Sequence, residues 1–157
     1  MLKKQIKAVQ NIMSQANHGP CGVCGKWLGK NGMFFYFCPY YGVSIAEDIP
    51  DMPEGIGSEC VENLLEISDD LQSLCVPSIA ELKETVKGIR RGTRCEKSLC
   101  WDFGENMPMV NPWYLIDLLT ILPGAELKAD KTRGHLSPVY IVSEKGAGVL
   151  MPVRKGN

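Results

Sequence analysis

Between Lys30 and Lys83 the chain has no lysine or arginine, although 17 basic residues stand against 18 acidic ones over its 157 positions. The same interval carries Glu47, Asp48, Asp51, Glu54, Glu59, Glu62, Glu66, Asp69, Asp70 and Glu81. A formal net charge of −1 gives no global attraction to nucleic acid or an anionic membrane, so binding of either kind must come from a local patch. Long apolar runs are lacking too: nothing approaches the roughly 18 consecutive apolar residues of a membrane span. Met1-Leu2-Lys3-Lys4-Gln5-Ile6-Lys7 has no apolar run behind its lysines, which argues against a secretory signal and predicts a cytoplasmic protein that avoids membranes. Histidine is scarce, at two residues, and His135 sits alone in a loop without a nearby Cys or Asp pattern. No phosphate loop, dinucleotide fingerprint, HExxH, GxSxG or deaminase HxE is present, which leaves catalysis thinly supported.

Cysteine is the residue the chain has in excess: seven, an odd number. Without a secretory address, such cysteines read as metal ligands or reduced thiols, not as disulfides. Cys21-Gly22-Val23-Cys24-Gly25 has the spacing of a zinc knuckle, whose turn brings two sulfurs to one side while small residues let backbone N–H groups face the thiolates. Cys60 follows Gly55-Ile56-Gly57 and opens the helical-looking run from Val61 to Ile67, where the positive end of a helix dipole favours a thiolate. Cys38 is the first choice for the fourth ligand and His18 the second. A closed shell of Cys21, Cys24, Cys38 and Cys60 would make the Zn2+ structural, because a catalytic zinc keeps a position open for water. Cys75, Cys95 and Cys100 read as buried thiols before a second metal site. The competing account is an ordinary core of reduced cysteines.

Leu2, Ile6, Val9 and Met13 fall at helical spacing with lysines elsewhere on the wheel, up to the breaker cluster Asn17-His18-Gly19-Pro20. Residues 26–43 hold more than half of the chain's aromatics; Phe34–Phe37 reads as a strand behind the turn Asn31-Gly32, and the aromatics as the mini-core of the zinc site. Pro50 and Pro53 mark 44–57 as a loop. Ser78-Ile79-Ala80-Glu81 fits a capping box for a helix running to about Arg91. Residues 79–97 hold six basic against three acidic side chains, so Lys83, Lys87, Arg90, Arg91 and Arg94 are the candidate nucleic-acid contacts. A solvated helix face is the bland alternative. Asn111-Pro112 caps a largely apolar helix that ends at Pro123-Gly124, with Asp117 its single charge. Ala125–Ala129, Pro138–Val142 and Gly148–Val153 then read as a three-stranded antiparallel meander, the last two joined by the hairpin turn Ser143-Glu144-Lys145-Gly146.

Asn111, Tyr114, Leu115, Asp117, Ser137, Pro138 and the closing Leu150-Met151-Pro152-Val153-Arg154 make the stretch 111–154 resemble the last βαβββ repeat of bacterial DNA polymerase sliding clamps. The Cys-x-x-Cys-Gly start and Gly-Ile-Gly-x-x-Cys end of the first half resemble small phage-type zinc modules. The departures are specific. A clamp subunit strings several such repeats together and presents Lys and Arg from its inner helices, whereas 112–122 presents none, so encirclement of DNA is not implied.

These readings predict an α+β protein with a zinc-ribbon or treble-clef-like module over 1–75 and a clamp-repeat-like unit over 76–157. They imply a non-enzymatic, phage- or mobile-element-type accessory or interaction protein with a protein or DNA partner, acting on nucleic acid or the replication machinery. An open sheet edge also allows a homodimer. The alternative is an inhibitor whose acidic loop, Glu47 to Glu59, occupies a host protein's nucleic-acid channel.

Overall fold

Asn111 sets the start of the most buried helix. Its side-chain oxygen accepts from the Trp113 amide at 3.0 Å, Pro112 takes the first turn, and the helix Pro112–Ile121 follows. It stops at Leu122, just before Pro123 and Gly124, where Gly124 adopts φ 72°. Leu115, Leu118 and Leu122 are wholly buried, each worth about 1.5–3 kcal/mol of apolar burial. The structure, a computed structural model, describes residues 3–5, 7–8, 27–30, 33–37, 40–45, 70–90 and 99–154.

Within those residues the strands, in chain order, are β1 (Trp27–Lys30), β2 (Met33–Phe37), β3 (Tyr41–Ile45), β4 (Leu71–Leu74), β5 (Trp101–Asp102), β6 (Met109–Val110), β7 (Glu126–Asp130), β8 (Val139–Ser143) and β9 (Gly146–Leu150). The helices are α1 (Ile79–Thr85) and α2 (Pro112–Ile121), preceded by helical residues at 3–5 and 7–8. Seven strands form one antiparallel sheet in the order β1-β2-β3-β9-β8-β7-β4, and β5 with β6 forms a separate two-stranded ribbon. The protein is therefore mixed α and β with an antiparallel sheet, as the sequence predicts at that level.

The meander β7-β8-β9 follows from alternation. Leu127 and Ala129 are buried while Glu126 is exposed and Lys128 half-buried, and across the ladder Leu127 faces Ile141 and Ala129 faces Val139. Ser143 pairs with Gly146, closing the hairpin on Glu144 and Lys145. Leu127, Val139 and Ile141 share one core with α2, and Leu82 from α1 and Val86 just past its end join it.

Strands from both sides of residue 75 belong to this one sheet. β3 pairs with β9 from Tyr41↔Leu150 to Ile45↔Gly146, and β4 pairs with β7 from Leu71↔Asp130 to Leu74↔Leu127. All five residues of β3 are buried. Tyr41, Val43 and Ile45 alternate into the shared core, so Tyr41 packs against Tyr114 with ring centroids 5.0 Å apart. Tyr41, one of the aromatics expected around the zinc site, stands in the core shared with α2, where the ladder to β9 carries it. Ser44 and Ile45 also belong to the strand, which shortens the expected loop from its N-terminal end.

Candidate nucleic-acid interface

Ser78 builds the start of α1 as its sequence predicts. Its hydroxyl accepts from the Glu81 amide at 3.1 Å, and the Glu81 carboxylate accepts from the Ser78 amide at 2.8 Å. Those bonds from Ser78 hold the Glu81 carboxyl below its ordinary value of 4.5. The helix ends at Thr85, well before Arg91. Val86 leaves helical geometry, Lys87 and Ile89 donate back over short turns to Glu84 and Val86, and Gly88 sits at φ 76°.

That early end separates the expected basic residues. Lys83 lies on the helix proper, while Lys87 lies beyond its end and pairs with Glu84 at 3.1 Å, both side chains largely exposed. Such a pair contributes little to stability. Arg90 follows the turn and is exposed. Arg91 and Arg94 lie outside the described residues.

Lys83 has different neighbours from those its sequence suggests. It lines a cavity of about 480 Å³ together with Lys4 and Lys7 of the N-terminal helical residues. All three are exposed lysines. Each wall is one face of a helix. Trp113, Ile116, Asp117 and Thr120 are spaced i, i+3, i+4, i+7 along α2; Ile79 and Lys83 are i, i+4 on α1; Lys4 and Lys7 are i, i+3 at the N-terminus. Ala8, 4% exposed, completes the seam, and Gln5 reaches the Ile121 carbonyl oxygen through a long 3.5 Å hydrogen bond. The opposite face of α2, with Leu115 and Leu118, is committed to the core, as is Leu122 just past its end. The groove is therefore lined by three exposed lysines together with apolar side chains, Thr120 and Asp117.

Asp117 is 2% exposed, the one buried carboxylate among the described residues, and it lines the same groove. Thr120 donates its hydroxyl proton to the Ile116 carbonyl oxygen at 2.6 Å. Sequence reasoning singled out Asp117 as the only charge on its helix and Lys83 as basic, and put the N-terminal lysines away from the apolar stripe of their helix without linking them to Lys83. The i, i+3 spacing of Lys4 and Lys7 was the available signal; their meeting with Lys83 is a tertiary fact.

The expected zinc ligands Cys21, Cys24, Cys38 and Cys60, and the alternative His18, lie outside the described residues, as does Cys95. Among the described residues no three of His, Cys, Asp and Glu gather closely enough to hold a metal ion. Cys100 is buried as expected, whereas Cys75 is exposed, and neither forms a disulfide. His135 lies exposed in the 3₁₀ turn Gly134–Leu136. The acidic loop 47–59 also falls outside the described residues. No described helix is long and apolar enough to cross a membrane.

No family model, curated protein or solved structure matches this chain.

Proposed function

We propose that the protein is a non-enzymatic accessory module that binds nucleic acid by its phosphates, with Lys83 at the centre of the contact. The observation that carries the reading is the convergence of Lys83 with Lys4 and Lys7, from segments far apart in sequence, on one groove. In a chain of net charge −1 such a local cluster is the form that phosphate binding has to take. Lys87 and Arg90, at the end of α1, extend the donor set, and Arg91 and Arg94 follow them in sequence. The resemblance of 111–154 to a clamp repeat is what suggests a setting in DNA replication; the element order from β6 to β9 is strand, helix and three strands, with β6 paired to β5 apart from the meander. In this reading Cys21, Cys24, Cys38 and Cys60 hold a structural Zn2+ in the N-terminal half.

Fluorescence anisotropy with labelled DNA, repeated over a salt series, tests the proposal. Three neutralised phosphates correspond to a slope of log K against log salt of about −3. Replacing Lys4, Lys7 and Lys83 together by Glu should abolish binding, while Lys145→Glu in the β8–β9 turn should leave it intact. Equal loss in both variants, or a slope near zero, overturns the reading.

A further inference from the structure

We infer that the protein takes its nucleic acid as a single strand, with an unpaired base laid on Tyr40. The inference rests on the reading of Lys4, Lys7 and Lys83 as phosphate contacts and names the form of nucleic acid that they serve.

Tyr40 is 47% exposed, although it stands directly before the wholly buried strand β3. Its ring is held in place. It stacks on Tyr114 of α2 with centroids 5.7 Å apart and planes 22° apart, an offset-stacked arrangement. Tyr114 in turn packs against the buried Tyr41, at 5.0 Å between centroids. The main chain is fixed as well, because the Met151 amide donates to the Tyr40 carbonyl oxygen at 2.8 Å, one step past the ladder pair Tyr41↔Leu150. Met151 is itself 39% exposed, so a pre-set aromatic ring and a polarizable thioether residue reach solvent at neighbouring positions. The first turn of α2 links this pair to the lysines. Trp113 lines the groove with Lys4, Lys7 and Lys83, and the next residue, Tyr114, carries the stack with Tyr40.

Lysines alone do not distinguish one form of nucleic acid from another, since both duplex and single strand present phosphates. An aromatic ring does. Inside a duplex each base is covered above and below by its neighbours, whereas an unpaired base offers its flat face for stacking. Every base has such a face, so the contact tolerates any sequence. A ring held ready beside a set of phosphate donors therefore favours an unpaired strand, whose backbone meets the lysines while a base meets Tyr40. A protein partner could cover the same residues, but it would use their apolar area, which a leucine at position 40 supplies nearly as well.

Anisotropy titration of the full chain with labelled oligothymidine, and with a blunt duplex of the same length at the same salt, tests this. Oligothymidine should bind tighter by roughly fivefold or more. Tyr40→Ala and Tyr40→Leu should each weaken oligothymidine by roughly five- to 100-fold and leave the duplex unchanged, while Tyr40→Trp should bind as the native chain does. The salt dependence should stay the same in the Tyr40 variants, which lose no phosphate contact, and become shallower by about 0.7 in Lys83→Gln. Should Tyr40→Ala fail to fold, the ratio of oligothymidine to duplex affinity in the native chain stands as the test. Equal affinity for the two forms overturns the inference, and so does native-like oligothymidine binding by Tyr40→Leu. Binding that needs the lysines and ignores Tyr40 removes this inference alone. Oligothymidine binding that needs Tyr40 and survives replacement of all three lysines by Glu removes the phosphate reading alone, and no binding of either form removes both.

Discussion

The Ser44 carbonyl oxygen stands where a Cβ on Gly146 would project, so β3 and β9 close on each other only because position 146 carries no side chain. The obstructing atom is backbone and cannot rotate away. Gly146→Ala should therefore cost roughly 3 kcal/mol, the upper end for overpacking, and lower the midpoint of thermal unfolding by about 6–12 °C. Two residues on, a Cβ at Gly148 would meet the Gly42 oxygen and the Ile141 side chain at 3.4 Å, ordinary contact distance. Gly148→Ala should be the milder change, below about 1 kcal/mol. Equal midpoints for the two variants would refute this account of the strand pair.

Val43 is wholly buried in β3 and lies across the ladder from Gly148, in the core that α2 covers. Removing two methyl groups by Val43→Ala should cost about 2 kcal/mol through lost burial and the cavity left behind. Because β3 and the meander share one sheet, the loss should appear as one cooperative transition moved to lower denaturant. Two separated transitions, with fluorescence of Trp101 and Trp113 reporting the later one unchanged, would show that 1–75 and 76–157 melt as independent units.

The parts of this fold that were legible in the sequence are the locally determined ones. Asn111, Pro112 and Pro123-Gly124 mark α2 with residues adjacent to its ends, and Ser78 and Glu81 satisfy each other within one turn. The meander was legible because alternation and a short turn act over a few residues. α1 was overextended because Ile89 continues its apolar stripe, while the backbone has left the helix at Val86 and turns at Gly88 with φ 76°; periodicity records the side chains and misses the backbone. β3 carried a signal, with Tyr41, Val43 and Ile45 alternating against Gly42 and Ser44, yet its partner β9 is about a hundred residues away. β4, Leu-Gln-Ser-Leu, has no alternation and becomes a strand through its ladder to β7. The groove was illegible for the same reason: three short helical faces supply it, and none of them specifies the others.

The capping box gives a pH dependence with a definite sign. The Glu81 carboxyl is lowered from 4.5 by its bonds from Ser78, so its contribution is fully present above that value and is lost as pH falls through the depressed folded value. Ser78→Ala removes the N-cap and should cost about 1 kcal/mol at pH 7. The gap between the native chain and this variant should begin to narrow below pH 4.5. Urea unfolding at pH 7, 5 and 3 checks it; a gap that widens on acidification contradicts the assignment.

The proposed zinc shell makes a prediction about the far side of the sheet. Cys38 follows the last residue of β2 and lies three positions before the first of β3, while Cys24 precedes β1 and Cys60 lies beyond β3. A metal held by Cys21, Cys24, Cys38 and Cys60 therefore ties together the chain around β1–β3, which is the end of the sheet farthest from β7 and β4. Purified protein should contain about one zinc per chain by elemental analysis. Stripping it with a strong chelator should speed amide hydrogen exchange in β1, β2 and β3 first, while Leu127, Ile141 and their ladder neighbours keep their protection. Cys38→Ser should lose the metal and Cys75→Ser, an exposed thiol outside the proposed shell, should keep it. If His18 is the fourth ligand instead, Cys38→Ser keeps its zinc and His18→Ala loses it. Protein that is free of zinc as isolated, with exchange in β1–β3 indifferent to chelator, refutes the metal and leaves the β3–β9 ladder to hold that side of the sheet alone.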